Sequence, residues 1–381
     1  MVIGLCLYNN KNKTVYIVIK ISTCYNTIYI SITFYLKRED EMLKKFFIIF
    51  LLILFTDFST FALEDIELLH NAQNTFGILP SKIESKENPI TQNKVRLGKM
   101  LFYETRLSVD NTVSCAKCHF FGFYGTDGLP RSIGNHYREN DRNAPTVFNA
   151  AGQISQHWIG DMASVEEQAS KSLTGKAANG NPDEKSLIER LGKIKRYNSL
   201  FKKAFPNEKQ PISAKNIGLA IGAYERTLVT PSAFDEYLEG SLTAIDSKAL
   251  KGLKLFMNNG CSSCHNGIYL GGNSYEKFGI FYNYWEYTGS KKIDKGRMSY
   301  TKDDADKYVF KVPILRNIMQ TAPYFHDGSV KNIRDVIKIM GKIQLDIELK
   351  EIEINSIESF FTTLTGKIPK DMLTIPILPQ N

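Results

Sequence analysis

The stretch Cys261-Ser-Ser-Cys264-His265 places two thiols three residues apart with an imidazole directly after the second, and the same pattern recurs at Cys115, Cys118 and His119. Three chemistries use such clusters. A structural zinc site takes about four nitrogen or sulfur ligands, and two Cys pairs could supply them, but both histidines would then be idle. A Cys-x-x-Cys redox disulfide belongs at a strand-to-helix turn of a βαβ unit, and no such pattern is visible. Covalent haem attachment uses every residue of the motif: the thiols add to the two vinyl groups along one porphyrin edge, and the next residue sets an imidazole under the iron. The two motifs therefore read as attachment sites for two c-type haems, with Cys115, Cys118, Cys261 and Cys264 as linkages and His119 and His265 as proximal ligands.

Each motif is preceded by the same kind of segment. Leu97-Gly-Lys-Met-Leu-Phe102 before the first is echoed by Gly252-Leu-Lys-Leu-Phe256 before the second. The spacing of the apolar residues fits a short amphipathic helix whose Leu/Phe face packs on the haem that follows. Further helices are expected over 164–174, 184–205, 213–229, 333–340 and 348–364, the third opened by a Ser N-cap and stopped before Pro231. Strand-like alternation is scarce, and Pro145, Pro182, Pro211 and Pro313 with the Gly-rich stretches mark loops. The expected fold class is all-α, two cytochrome c-like domains with one covalently bound haem each, over 63–230 and 231–381, joined near Thr230 to Phe234.

At 381 residues, 43% hydrophobic and 23% charged, the chain has the makeup of a globular protein large enough for two cores. Its formal charge of +8 includes seven Lys/Arg against four Asp/Glu in the first 62 residues, so the remainder carries +5, too mild to argue for nucleic acid. Residues 42–62 carry a Met, two lysines, an unbroken apolar run from Phe46 to Phe55, and Thr60-Phe61-Ala62 as a small-x-small cleavage site. This reads as a secretory signal peptide, and the run is about half of the ~20 residues that span a bilayer, which argues against a stable membrane anchor. The stretch 1–41 precedes a complete signal and reads as an over-extended start. Export would leave four cysteines, all in the two motifs.

With these features the chain resembles the bacterial dihaem cytochrome c peroxidases, in GKMLFYETRLS, GLPRSIG, RNAPTVFNAA, EEQA, AIGAYERTL, VFKVPILRN, TAPYFHDGS and IMGKIQL, from about Leu63 to Asn381. The resemblance implies periplasmic reduction of hydrogen peroxide by electrons from a small c-type cytochrome or cupredoxin, in a homodimer. It also implies a division of labour: the haem on Cys115, Cys118 and His119 reduces peroxide, the haem on Cys261, Cys264 and His265 accepts electrons, and reduction of the second switches on the first. Met340 matches the sixth ligand of the electron-accepting haem, as suits a high potential. A tyrosine there would suggest the related methylamine-utilisation enzymes.

A peroxidatic haem needs an open or displaceable sixth position and a group that moves a proton between the peroxide oxygens. The family often has Ser-Ile-Gly-His as a displaceable distal ligand, whereas here Asn135 takes the matching place and His136 follows it. Either the loop shifts by one and His136 ligates, which is the expectation, or the haem rests open. The acid/base expected from Asn181-Pro-Asp-Glu184 is Glu184, although an ungapped count lands on Ala178; Gln168 is its expected partner. Trp158 falls where the family has a tryptophan between the haems, with Ile159 and Asp161 in place of the usual Asp and Arg. Asn143, Thr321 and Pro323 match the ligands of an interdomain calcium ion, mostly through carbonyl oxygens, as a hard cation prefers. The competing readings are a dihaem electron carrier with both irons six-coordinate, and a dihaem oxidase of the methylamine-utilisation type.

Overall fold

The structure is a computed structural model; it describes residues 64–380 in full and the backbone of 2–10, 14–22 and 27–34. Segment 42–62, read above as a signal peptide, lies outside the described residues. Contacts divide the chain into units 1–67 and 68–381. In the first, Val2–Asn10, Thr14–Ser22 and Thr27–Phe34 form an antiparallel meander with Cys6 opposite Val18 and Ile19 opposite Ile30. Ile, Val, Tyr and Thr dominate these segments, the residue types that suit a pleated surface. Unit 68–381 is mostly helical, with one short ladder pairing Tyr275–Lys277 and Val309–Lys311.

The repeated preambles are repeated in space. Helix Gln92–Phe102 packs on the buried helix Ala214–Glu225, and helix Ser247–Asn258 packs on Glu351–Thr363. Both crossings use a glycine at the same place in the repeat: a Cβ on Gly98 would lie 1.9 Å from the Ala220 carbonyl oxygen, and one on Gly252 would lie 1.9 Å from that of Ser356. Backbone touches backbone there, so only glycine fits. Side chains close the helix starts, as where Ser213 accepts from Asn216 N–H and Asp246 from Ala249 N–H.

Two large cores follow, but they do not divide the chain at one point. The first gathers Leu97, Phe102, Phe148, Phe201 and Leu228 among others; the second gathers Phe234, Phe256, Ile337 and Phe360. Leu69, Ala72 and Phe76, from the helix over 64–75 and its end, join the second core, while Ile368, Met372 and Leu378 pack on the first. Arg106 donates to the Pro379 carbonyl and Lys99 to that of Asp371. The ends of this unit thus cross over, each packing on the core built mainly from the other end of the chain.

The junction at Thr230 is a buried node rather than an exposed linker. Thr230 is fully buried, exchanges hydrogen bonds with Asn149 and accepts another from Asn317, whose Oδ1 receives Gly366 N–H. Asp235 caps its own helix at Ser232 and meets Arg316 through two 2.7 Å contacts. With Arg316 side chain wholly buried, removing either partner would strand a charge in the interior, which typically costs 3–5 kcal/mol. Two helix expectations also shift. The helix over 184–205 breaks into Glu184–Gly192 and Lys195–Ala204, because Ile194 is extended and buries its side chain in the first core. The helix from Ile333 runs on to Leu345, so Met340 sits within it.

Candidate active site

Cys261, Cys264, His265 and Met340 line one cavity of about 410 Å³, although the motif and the methionine are 75 residues apart. The helix Ile333–Leu345 presents Ile333, Ile337, Met340 and Gln344 to it, a spacing that keeps one face on the cavity for three turns. Phe256 and Phe361 supply apolar wall. His265 Nδ1 donates to the Leu270 carbonyl at 3.3 Å, which leaves Nε2 as the free lone pair. Burial pushes the His265 imidazole down to about 4, so it stays neutral and able to ligate. A tetrapyrrole fits this lining: two thiols, a neutral imidazole, a thioether and apolar side chains around one cavity.

The first motif repeats the setting of the histidine. His119 Nδ1 donates to the Gly125 carbonyl at 3.1 Å, and burial again lowers its affinity for a proton. Burial raises the thiols of Cys115 and Cys118, and that of Cys261 to about 11. These are not the low-pKa thiolates of a redox pair. All four thiols are free, and among the described residues no three His, Cys, Asp or Glu converge on a metal site, so the zinc reading has no geometry.

The loop Gly134–Arg138 sorts Asn135 from His136. Asn135 is fully buried, donating through Nδ2 to the carbonyls of Lys176 (2.6 Å) and Ala178 (2.9 Å) and accepting from Arg138. His136 points outward with its backbone at φ 49°, its side chain 56% exposed and Nδ1 3.9 Å from Asp110. Burial works against the Asp110 carboxylate, but hydrogen bonds from His136 N–H, Thr112 and Ser108 hold it well below the usual range. The left-handed backbone at His136 is what turns two neighbouring side chains to opposite sides of the loop.

Glu184 is exposed in the first turn of its helix, capped by Asp183. The turn before it flanks the loop Gly134–Arg138: Gly180 lies against Asn135, and Asn181 donates to the carbonyls of Leu107 and Leu173. Gln168 is half-buried in helix Val165–Ser172. Trp158 lines the cavity of the second motif, donates to the Asn143 carbonyl at 2.9 Å and meets the His326 ring edge-on at 6.4 Å. Asn143, Thr321 and Pro323 line the same cavity. The Asn143 amide donates to the Leu129 carbonyl, leaving its Oδ1 as an acceptor.

Some residues at these sites carry no signal in the spacing. Lys311 and the pair His157–Asp161, 2.9 Å apart, are visible only once the fold brings them to the cavity or beside it. Glu225, fully buried near Cys115, is another: burial and the neighbouring Glu166 push its carboxyl up to about 8. The unfolded chain releases that proton near ~4.3. Between those values the folded chain holds a proton the unfolded chain lacks, so stability falls as pH rises toward 8 and levels off above it. Glu225→Gln is therefore expected to match the parent near the bottom of this window and to exceed it increasingly with pH, by at most about 5 kcal/mol. Thermal unfolding of both proteins across the window checks this; a gap that does not grow with pH would mean that Glu225 is ionised in the fold.

A mostly helical chain with two Cys-x-x-Cys-His sites, one of them facing a methionine across an apolar cavity, is of the c-type haem-binding class. Residues 92–243 match the family described as di-haem cytochrome c peroxidase. The cytochrome c551 peroxidase of Pseudomonas aeruginosa is 41% identical over 319 residues, 83% of this chain and 91% of that one. The cytochrome c551 peroxidase of Nitrosomonas europaea is 39% identical over 310 residues, covering 80% and 88%. The methylamine utilization protein MauG of Methylorubrum extorquens is 33% identical over 311 residues, covering 77% and 84%. Among solved structures, a MauG-like protein associated with microbial copper homeostasis superposes with a TM-score of 0.71 at 27% identity, over 78% of this chain and 97% of that one. The chain belongs to the di-haem cytochrome c peroxidase family.

Proposed function

We propose that this chain works in the periplasm, carries two covalent haems c, and reduces hydrogen peroxide to two waters with two protons and two electrons from a small c-type cytochrome or cupredoxin. It is an oxidoreductase of the cytochrome c peroxidase class. The observation that carries the reading is the convergence of Cys261, Cys264, His265 and Met340 on one apolar cavity. When bound, the haems supply electron transfer at the second motif and peroxide reduction at the first.

The chain's own residues divide the work. His265 and Met340 line the same cavity and would supply a nitrogen and a thioether ligand, which suits a centre that only passes electrons. His119 would offer a nitrogen ligand, and His136, turned outward beside Asp110, would leave a position for a small molecule. Trp158 bridges the space between, fixed by Asn143. Glu184, exposed to water and next to the turn that holds the distal loop, exchanges protons with solvent, and Gln168 orients the substrate. Asn143, Thr321 and Pro323, which line the same cavity, would hold a calcium ion through oxygen atoms. The units 63–230 and 231–381 act as peroxidatic and electron-accepting halves, and two chains associate.

Steady-state peroxide consumption with a reduced cytochrome c, before and after half-reduction of the enzyme, tests the proposal. Turnover that rises after half-reduction is the expected result. Absence of turnover in both states, with two haems attached, would make the chain an electron carrier.

A further inference from the structure

Among the described residues, Lys311 is a buried cation without a counter-ion. Its side chain is 5% exposed, on the short strand Val309–Lys311, and it lines the cavity of the second motif. Nζ donates to Gln153 Oε1 at 2.5 Å and to the Ser155 carbonyl at 2.9 Å. Both acceptors are neutral, and an ammonium has three protons to give. The cavity's other deeply buried cation, Arg316, is neutralised by Asp235, and the cavity's single carboxylate, Glu276, is partly exposed on the neighbouring strand. Burial alone, with no anion to oppose it, pushes the Lys311 ammonium down to about 7. A charge left so costs several kcal/mol unless an anion comes to meet it.

The molecule that belongs in this cavity brings its own anions. Resting on the functional reading above, we propose that Lys311 receives a propionate carboxylate of the haem linked to Cys261 and Cys264, and that the pair holds this haem's potential up. The third proton of Nζ makes the charge-assisted bond that the protein leaves unmade. The positive charge opposes loss of an electron from the nearby centre, so it stabilises the reduced form relative to the oxidised one. Gln153, Ser155 and Trp158 lie on one turn, and the Trp158 carbonyl accepts from the backbone N–H of Lys311 at 2.8 Å. The same lysine therefore fixes the haem edge relative to the tryptophan.

The test uses the full-length holoprotein, with mass and haem-stained gels establishing two covalent haems in every variant. Spectroelectrochemical titration of the methionine-ligated haem then compares the parent with Lys311→Met, Lys311→Gln and Lys311→Arg. Loss of the charge in the Met and Gln variants is expected to lower the midpoint potential, and Arg to keep it near the parent value. The amide of the Gln variant can still donate to one of the two former acceptors, which guards against a change caused by misfolding. With both haems attached, an unchanged potential in the Met and Gln variants would overturn the proposal. A parent potential that moves with chloride or phosphate concentration, and stops moving in the Gln variant, would also overturn it by placing a solvent anion on Lys311. A parent chain with only one haem would instead sink the functional reading.

Discussion

Met340→His lowers the midpoint potential of the C-terminal haem by roughly 0.2 V, inside the ~0.8 V range that axial ligands command, and removes the spectroscopic signature of methionine ligation. A thioether is a weak donor that favours the electron-rich reduced iron, whereas an imidazole donates more strongly and favours the oxidised one. The geometry makes this substitution informative. Met340 shares one helix face with Ile333 and Ile337, all turned to the cavity that holds Cys261, Cys264 and His265. The new side chain starts from the same backbone position, so the haem keeps a second ligand while its potential drops. A donor cytochrome would then reduce it poorly, and activation of the peroxidatic centre would be lost with it. Redox titration with magnetic circular dichroism checks the prediction. An unchanged potential would make Met340 a core residue that fills space beside the haem.

The sites legible in the sequence are those where one short motif contains the chemistry. Cys-x-x-Cys-His needs no partner from elsewhere to declare itself, and the preamble repeat announces two copies of one packing unit, down to Gly98 and Gly252 at matching crossings. Met340 is intermediate, since only the resemblance singles it out from the other methionines; the cavity then brings it to the motif. Lys311 was not legible. A lysine beside Phe310 in an exposed strand would alternate in the same way, and its burial comes from Gln153 and Ser155, more than 150 residues away. The crossing of the unit's two ends was hidden for the same reason: which core Leu69 or Leu378 joins depends on where the chain turns back, not on local pattern. The expected division of the loop was open in the sequence because Asn135 and His136 are adjacent, and the left-handed backbone at His136 and Tyr137 decides which of them faces inward.

That loop sets the most exposed prediction. In the structure His136 is held outside by two contacts with Asp110, from its backbone N–H at 2.9 Å and from Nδ1 at 3.9 Å. The second is a partly exposed pair worth at most ~1 kcal/mol, so release of the ring from Asp110 is inexpensive. Asn135 is the costlier lock, with five hydrogen bonds around it to the 176–178 turn and Arg138. If His136 ligates the peroxidatic haem in the fully oxidised protein, the loop must swing it inward and break that lock. Reduction of the partner haem would then favour the arrangement seen here. His136→Ala is accordingly expected to leave the oxidised N-terminal haem high-spin and open to peroxide before any reduction, with turnover from the first cycle. Asn135→Ala removes the lock rather than a ligand, so it should destabilise the open loop by about 1–3 kcal/mol and slow activation without changing the oxidised spin state. Electron paramagnetic resonance of the oxidised and half-reduced forms separates the two cases. A parent protein already high-spin when oxidised, and indistinguishable from His136→Ala, would mean that His136 never reaches the iron. In that case the loop as the structure shows it, locked by Asn135, is the resting state of an enzyme that needs no reductive switch.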